Sequence, residues 1–362
     1  MGGFLTFILY ILIVFGITFL IKKATLSLKP RRILVLAALI CAFFAACRGT
    51  VGTDSEMYIM AYENSANAVQ RWVDFEPGFI LVMDILNKMH LSYVSLFFLM
   101  NFFTMLFAFI SIYSERENIN VNIATFMCMI DFYFLSWNIM RQALAISLGI
   151  YAMCLFLKGK WKKALFFIII ATTFHFSALI CIVVVVGKYL FENQKYKFFV
   201  LGIAVVVVFL IINRDILAQL VYLVTGENYY AMYFSRDTMV ESNIIIYYLK
   251  ILPILLIAIS GRKNYDKQSK YKVFFAFMIL GYVFSSIGVF TDTQVQRIGY
   301  YFSYFNWFVV GICTNGNLIV TKGKYLHKKN VSLFIILMLL VMFVFERFYK
   351  GYASLVPYFW FM

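Results

Sequence analysis

Charge is scarce in this chain. Of 362 residues only 14% are Asp, Glu, Lys or Arg, against 63% hydrophobic, which leaves too little polar surface to clothe a soluble fold. Acidic residues are the scarcer kind, 17 against 32 basic, for a net charge of +15. Such an excess can signal nucleic acid, but in so apolar a chain it reads as a topology signal on cytoplasmic loops, and nucleic acid is not an expected partner. Cysteines arranged for chemistry are missing too. Cys41, Cys47, Cys128, Cys154, Cys181 and Cys313 lie in or beside apolar runs with no CxxC pair and no histidine cluster. That pattern signals neither a disulfide framework nor a zinc site, and they read as small buried apolar residues. No P-loop, GxSxG or HExxH string occurs. Asp54 and Glu56 form a DxE pair, but two carboxylates alone are a weak cation signal, so neither a metal nor a cofactor is expected.

What remains is long apolar sequence. Phe4 to Ile21, Phe198 to Ile212, Val273 to Phe290 and Val331 to Phe345 approach or exceed the roughly 20 residues that a helix needs to cross hydrocarbon. The first run has no basic residues before it and no small-residue cleavage site before Lys22, so it reads as a retained helix. Lys and Arg gather in Lys22 to Arg32, Lys158 to Lys163, Lys188 to Lys197, Arg262 to Lys272 and Lys322 to Lys329, which assigns these loops to the cytoplasm. Arg48 to Leu91, Asn213 to Asn243 and Thr291 to Arg297 carry at least as many acidic as basic residues and suit the outer face.

Alternation of sides fails once. Lys158 to Lys163 and Lys188 to Lys197 are both basic, yet one apolar stretch separates them. A short hairpin repairs the count: Trp161 to Phe174 rises, the chain turns at His175, and Phe176 to Leu190 descends. Each arm of about 14 residues covers only ~21 Å, so His175 would sit below the membrane surface in a watered funnel. Glu76 to Leu91 reads instead as an amphipathic helix at the outer interface, with Phe79, Ile80, Met83 and Leu86 on one face and Pro77 in its first turn. The expectation is an all-α polytopic protein of about twelve transmembrane helices, both termini outside, forming one integral membrane domain over residues 1–362.

The polar residues of the outer side are unusual. Arg48-Gly49-Thr50-Val51-Gly52-Thr53-Asp54 offers backbone amides and a guanidinium fork suited to phosphate, or else a simple helix-ending turn. Asn138, Arg141 and Gln142 fall at a helix junction, with Asn138 and Arg141 three apart and so on one helical face. An arginine there needs water, a partner or an anion, and Asp131 within an apolar run is the structural alternative as partner. His175, between two phenylalanines, is placed to exchange a proton near neutral pH. Asp292, Gln294, Gln296 and Arg297 precede Gly299-Tyr300-Tyr301, and Arg297 again has few reasons to be there without an anion. In the loop Asn213 to Asn243, the aromatics Tyr229, Tyr230, Tyr233 and Phe234 with Arg236 and Asp237 could stack on sugar rings or form an interfacial belt.

Arg48 with Gly52-Thr53-Asp54 and Tyr58, Glu76-Pro77-Gly78-Phe79, Asn138-x-x-Arg141-Gln142 and Phe174-His175-Phe176-Ser177-Ala178 together resemble the EpsG family of Wzy-like membrane proteins, best over residues 45–180. The resemblance implies polymerisation of oligosaccharide repeat units, for exopolysaccharide or capsule, at the outer face of the cytoplasmic membrane. The donor would be a glycan on polyprenyl diphosphate and the acceptor a second lipid-linked unit, with a flippase and a chain-length regulator as partners beside the membrane lipids. On that reading Arg141 and Arg297 hold the diphosphate, with Asn138 and Gln142 in the same binding set. Arg48 holds the diphosphate or an acidic sugar, His175 deprotonates the acceptor, and Asp54 orients His175 or a sugar hydroxyl. Direct displacement would invert the anomeric centre. Two other classes compete: a metal-dependent glycosyltransferase using polyprenyl-phosphate sugars through Asp54 and Glu56, and a lipid-linked sugar flippase or exporter, for which internal symmetry between halves is missing.

Overall fold

Without water to satisfy peptide groups, apolar sequence inside a bilayer has few stable solutions, and helix is the one this chain adopts. The computed structural model describes residues 3–65, 75–182, 244–261, 269–290, 293–315, 318–321, 324–351, 354–356 and 358. Its helices are α1 (Gly3–Thr25), α2 (Pro30–Ala46), α3 (Ser55–Ser65), α4 (Pro77–Lys88), α5 (Tyr93–Ser114), α6 (Val121–Met127), α7 (Met140–Leu157), α8 (Trp161–Phe174), α9 (Ile244–Ser260), α10 (Ser269–Phe290), α11 (Thr293–Ser303), α12 (Asn306–Cys313) and α13 (Lys328–Val344). Five described segments are long and apolar enough to cross a membrane: Gly3–Thr25, Tyr93–Ser114, Met140–Leu157, Lys272–Val289 and Asn330–Tyr349. The protein is thus a polytopic helical membrane protein. One departure from an all-helical chain occurs in the basic segment after α12, where β1 (Leu318–Thr321) pairs antiparallel with β2 (Lys324–His327).

The bundle is built around α7, which α5 and α8 flank. Small residues along α7, among them Ala143, Ala145, Ser147, Gly149 and Ala152, let neighbouring helices approach closely, which is how helices associate where lipid removes the hydrophobic drive. At the periphery α1 has two faces. Tyr10, Val14, Ile17 and Ile21 are buried inward, whereas Phe4, Leu12 and Phe19 are exposed toward the surrounding lipid. Between α10 and α11 the backbones themselves touch: a Cβ on Gly281 would lie 2.1 Å from the Ser303 nitrogen, and one on Gly288 2.1 Å from that of Gln296.

The path from α6 to α7 differs from a plain helix end. After Met127 the chain widens into a π turn (Cys128–Tyr133), tightens into a 3-10 turn (Leu135–Trp137) and breaks at Asn138 and Ile139. Asn138 therefore precedes α7 rather than sharing a helical face with Arg141, because the tight turn ends before Met140 starts a new helix. The π turn also carries Asp131. Its partner is Lys250 on α9 at 2.8 Å, and Lys250 reaches Glu346 on a second π turn after α13 at 3.4 Å. The pairing of Asp131 with Arg141 does not form.

Pro77 opens α4, whose Phe79, Met83 and Leu86 face inward. Its 12 residues span about 18 Å, too short to cross. The chain breaks at His175, whose backbone is extended between α8 and a 3-10 turn (Phe176–Cys181). The lower part of the descending arm, the basic loop Lys188 to Lys197, the aromatic loop Asn213 to Asn243 and Asp292 lie outside the described residues.

Replacing Lys250 with Met strands Asp131 and Glu346 in the bundle, and should cost about 3–5 kcal/mol. A thermal-unfolding midpoint of the detergent-purified protein should fall, and adding Asp131→Asn and Glu346→Gln to Lys250→Met should restore much of the loss.

Candidate active site

The loop after α2 folds back on itself, with Gly49 and Gly52 at φ 58° and 110°. A side chain at Gly52 would be strained, and its Cβ would lie 2.7 Å from the Asn138 Oδ1. This turn drives Arg48 inward, where it is 1% exposed. Its NH1 donates to Ala45 O at 2.8 Å, its NH2 to Trp137 O at 3.0 Å and its Nε to Val51 O at 3.2 Å. The guanidinium also lies over the Phe97 ring, 4.2 Å from its centroid. Arg48 thus fastens three carbonyls, one of them at the break before α7.

Arg141, on the first turn of α7, faces the opposite way. It forms an ion pair with Glu76, the residue before α4, and lies over the Phe75 ring at 4.5 Å. The Tyr58 hydroxyl on α3 is within its hydrogen-bonding reach. The second Glu76 oxygen accepts the Phe176 N–H at 3.3 Å. One carboxylate therefore links α4, α7 and the turn that carries His175. Gly78 allows the close approach, since a Cβ there would lie 2.5 Å from the Thr173 Oγ1 on α8.

His175 is held from behind. Its Nδ1 lies 2.7 Å from the Ser177 Oγ, which lies 3.1 Å from the hydroxyl of buried Tyr301 on α11. Beside it, Gln142 Nε2 donates to the Arg297 carbonyl at 3.2 Å, and its buried Oε1 has no partner among the described residues. The Arg297 guanidinium, partly exposed, makes no ion pair among the described residues. Burial, with the nearby positive charges of Arg141 and Arg297, holds the His175 imidazole below its ordinary pKa against the pull of Glu76. At neutral pH the ring is uncharged, with a lone pair to offer.

The structure brings His175, Arg141, Gln142 and Arg297 to one place and sets Asn138 just behind them, against Gly52. Arg48 is turned into the protein. Asp54 accepts from Thr53 Oγ1 at 3.1 Å and is partly exposed; the carboxylate beside His175 is Glu76. Tyr58, Glu76, Ser177 and Tyr301 were not singled out as site residues from the sequence. Glu76 stood in view before Pro77, and Ser177 two residues after His175, but only tertiary contact gives them partners. Among the described residues no cluster of three or more His, Cys, Asp or Glu is placed to hold a metal ion.

This helical membrane bundle gathers two arginines, a glutamate and a histidine at one chain break. The family model for the EpsG family matches residues 31–360, and the chain belongs to that family. A membrane role connected with polysaccharide is consistent with this membership. Searches of curated proteins and of solved structures found no match.

Glu76→Ala should cost about 3–5 kcal/mol, because it leaves Arg141, 13% exposed, without its counter-charge. Glu76→Gln combined with Arg141→Gln should cost less than Glu76→Ala alone, as read from thermal unfolding of the purified protein.

Proposed function

We propose that the protein is a polysaccharide polymerase that joins oligosaccharide repeat units carried on polyprenyl diphosphate at the outer face of the cytoplasmic membrane. The observation that carries this reading is the gathering of Arg141, Arg297 and Glu76 about His175 at the break after α8. A neutral imidazole can accept a hydroxyl proton, and guanidiniums match a diphosphate leaving group.

In the proposed step an acceptor sugar hydroxyl attacks the anomeric carbon of the donor glycan. The new C–O bond forms as the bond to the diphosphate oxygen breaks, inverting that centre. The hydroxyl proton passes to His175, and the departing polyprenyl diphosphate keeps the bonding electron pair under the charges of Arg141 and Arg297. Gln142 holds the Arg297 backbone in the binding set through its Nε2, and Asp54 is exposed enough to take a sugar hydroxyl. Asn138 supports the loop through Gly52. Arg48 serves the site by holding the ends of α2 and of the Trp137 turn, since its donors already face protein carbonyls. No metal step is required in this scheme.

Twelve crossings with both termini outside belong to the same proposal, because they put His175 on the side where lipid-linked glycans are presented. So does supply of repeat units by a flippase, with a chain-length regulator acting on the product.

Purified protein given one polyprenyl diphosphate-linked repeat unit should produce a ladder of longer glycans; addition of a single sugar, or translocation alone, would refute the polymerase. Arg297→Ala is the cleanest variant, because among the described residues it strands no buried carboxylate. It should lower the rate on the order of 10²- to 10³-fold while leaving thermal stability near that of the parent.

A further inference from the structure

We infer that Ser177, anchored on Tyr301, is a positioning residue that fixes His175 as the Nδ1–H tautomer and so presents Nε2 as the atom that accepts the substrate proton. The inference rests on the polymerase reading only for its catalytic consequence; the tautomer itself is a property of the resting protein.

The geometry is a chain of three polar groups. Nδ1 of His175 lies 2.7 Å from the Ser177 Oγ, and the Ser177 Oγ lies 3.1 Å from the Tyr301 hydroxyl. A serine hydroxyl has one proton and two lone pairs. In the arrangement inferred, that proton is directed to Tyr301, and Ser177 meets Nδ1 as an acceptor. A neutral imidazole has one N–H, so the proton sits on Nδ1 and the lone pair on Nε2. Nδ1 is turned back toward Tyr301, which is fully buried on α11, and is thereby closed to substrate.

The fold supplies this arrangement deliberately. His175 has an extended backbone, and Ala178 N–H donates to its carbonyl at 3.0 Å, which begins the 3-10 turn. That turn brings Ser177 back under the ring of His175. Tyr301 reaches it because α11 lies against both α7 and this turn. Glu76 stands on the other side, its oxygens engaged by Arg141 and Phe176 N–H. It offers negative charge to an imidazolium without occupying Nδ1. The division resembles a catalytic triad with its two duties separated: hydroxyls set the tautomer, while the carboxylate supplies the charge.

During transfer the acceptor O–H bond breaks and its proton bonds to Nε2, giving an imidazolium whose Nδ1–H stays on Ser177. The proton leaves from Nε2 to water when product departs, and the tautomer is restored without rotation of the ring.

The test uses the full-length protein in lipid nanodiscs, labelled with ¹⁵N-histidine. The chain has 3 histidines, and the His175 signals are assigned by their loss in His175→Gln. At neutral pH without substrate, His175 should show a protonated Nδ1 and a bare Nε2. Ser177→Ala should shift it toward the Nε2–H form, and Ser177→Thr, which keeps the hydroxyl, should restore the parent pattern. In the polymerisation assay, Ser177→Ala should lower kcat on the order of 10- to 100-fold, with KM little changed and the pH profile displaced. Ser177→Thr should recover most of the rate. A parent protein with the Nε2–H tautomer, the state produced if Tyr301 donates to Ser177 and Ser177 to Nδ1, overturns the inference even if polymer is made. An unchanged tautomer in Ser177→Ala overturns it as well. The Nδ1–H form in a protein that makes no polymer sustains the tautomer and refutes the polymerase instead.

Discussion

The ion pair between Glu76 and Arg141 is the constraint on which the site depends. It joins three pieces distant in the chain: the loop before α4, the first turn of α7, and, through the Phe176 N–H, the turn at His175. Neither charge is well solvated, so each is tolerable only with the other present. In the function proposed, the pair also bears on how the site would meet a diphosphate. A phosphate reaching Arg141 must share it with Glu76, whereas Arg297 has no such competitor among the described residues. The two arginines are thus unequal: Arg141 is paired with a carboxylate, and Arg297 makes no ion pair among the described residues.

The same rule governs charge elsewhere in the bundle. Lys250 is held by Asp131 and Glu346, and both carboxylates project from π turns. A π turn adds a residue to a helix and re-aims its side chains, and it is common where polar groups enter an apolar core. Glu115, buried near a cytoplasm-assigned loop, is likewise paired with Lys158 at 3.0 Å. Among the described residues, the charges that bear on His175 are those of Glu76, Arg141 and Arg297.

Three arginines show why sequence pattern and structural setting diverge. Arg48, Arg141 and Arg297 look alike as single cations at helix ends. Arg48 turned out to be committed to the carbonyls of Ala45, Val51 and Trp137, because two left-handed glycines fold its loop inward. The family resemblance assigned Asp54 to orient His175 or a sugar hydroxyl; the carboxylate whose charge bears on His175 is that of Glu76. Ser177 and Tyr301, separated by 124 residues, meet only through the packing of α11 on the turn after α8.

The sequence by itself determined that this is a helical membrane protein, because its scarcity of charge and its long apolar runs leave the backbone no other way to satisfy its peptide groups. It also narrowed the candidates for chemistry, since so few polar groups survive in the apolar stretches, and it made legible the chain break at His175 and the helix 77–88. Which of those groups touch, and which are free to touch something else, was decided by tertiary structure. Sequence spacing reports one helix face at a time. The pairing of Glu76 with Arg141, of Asp131 with Lys250 and of Ser177 with both His175 and Tyr301 depends on how separate helices cross, and that is set by the summed packing of the bundle.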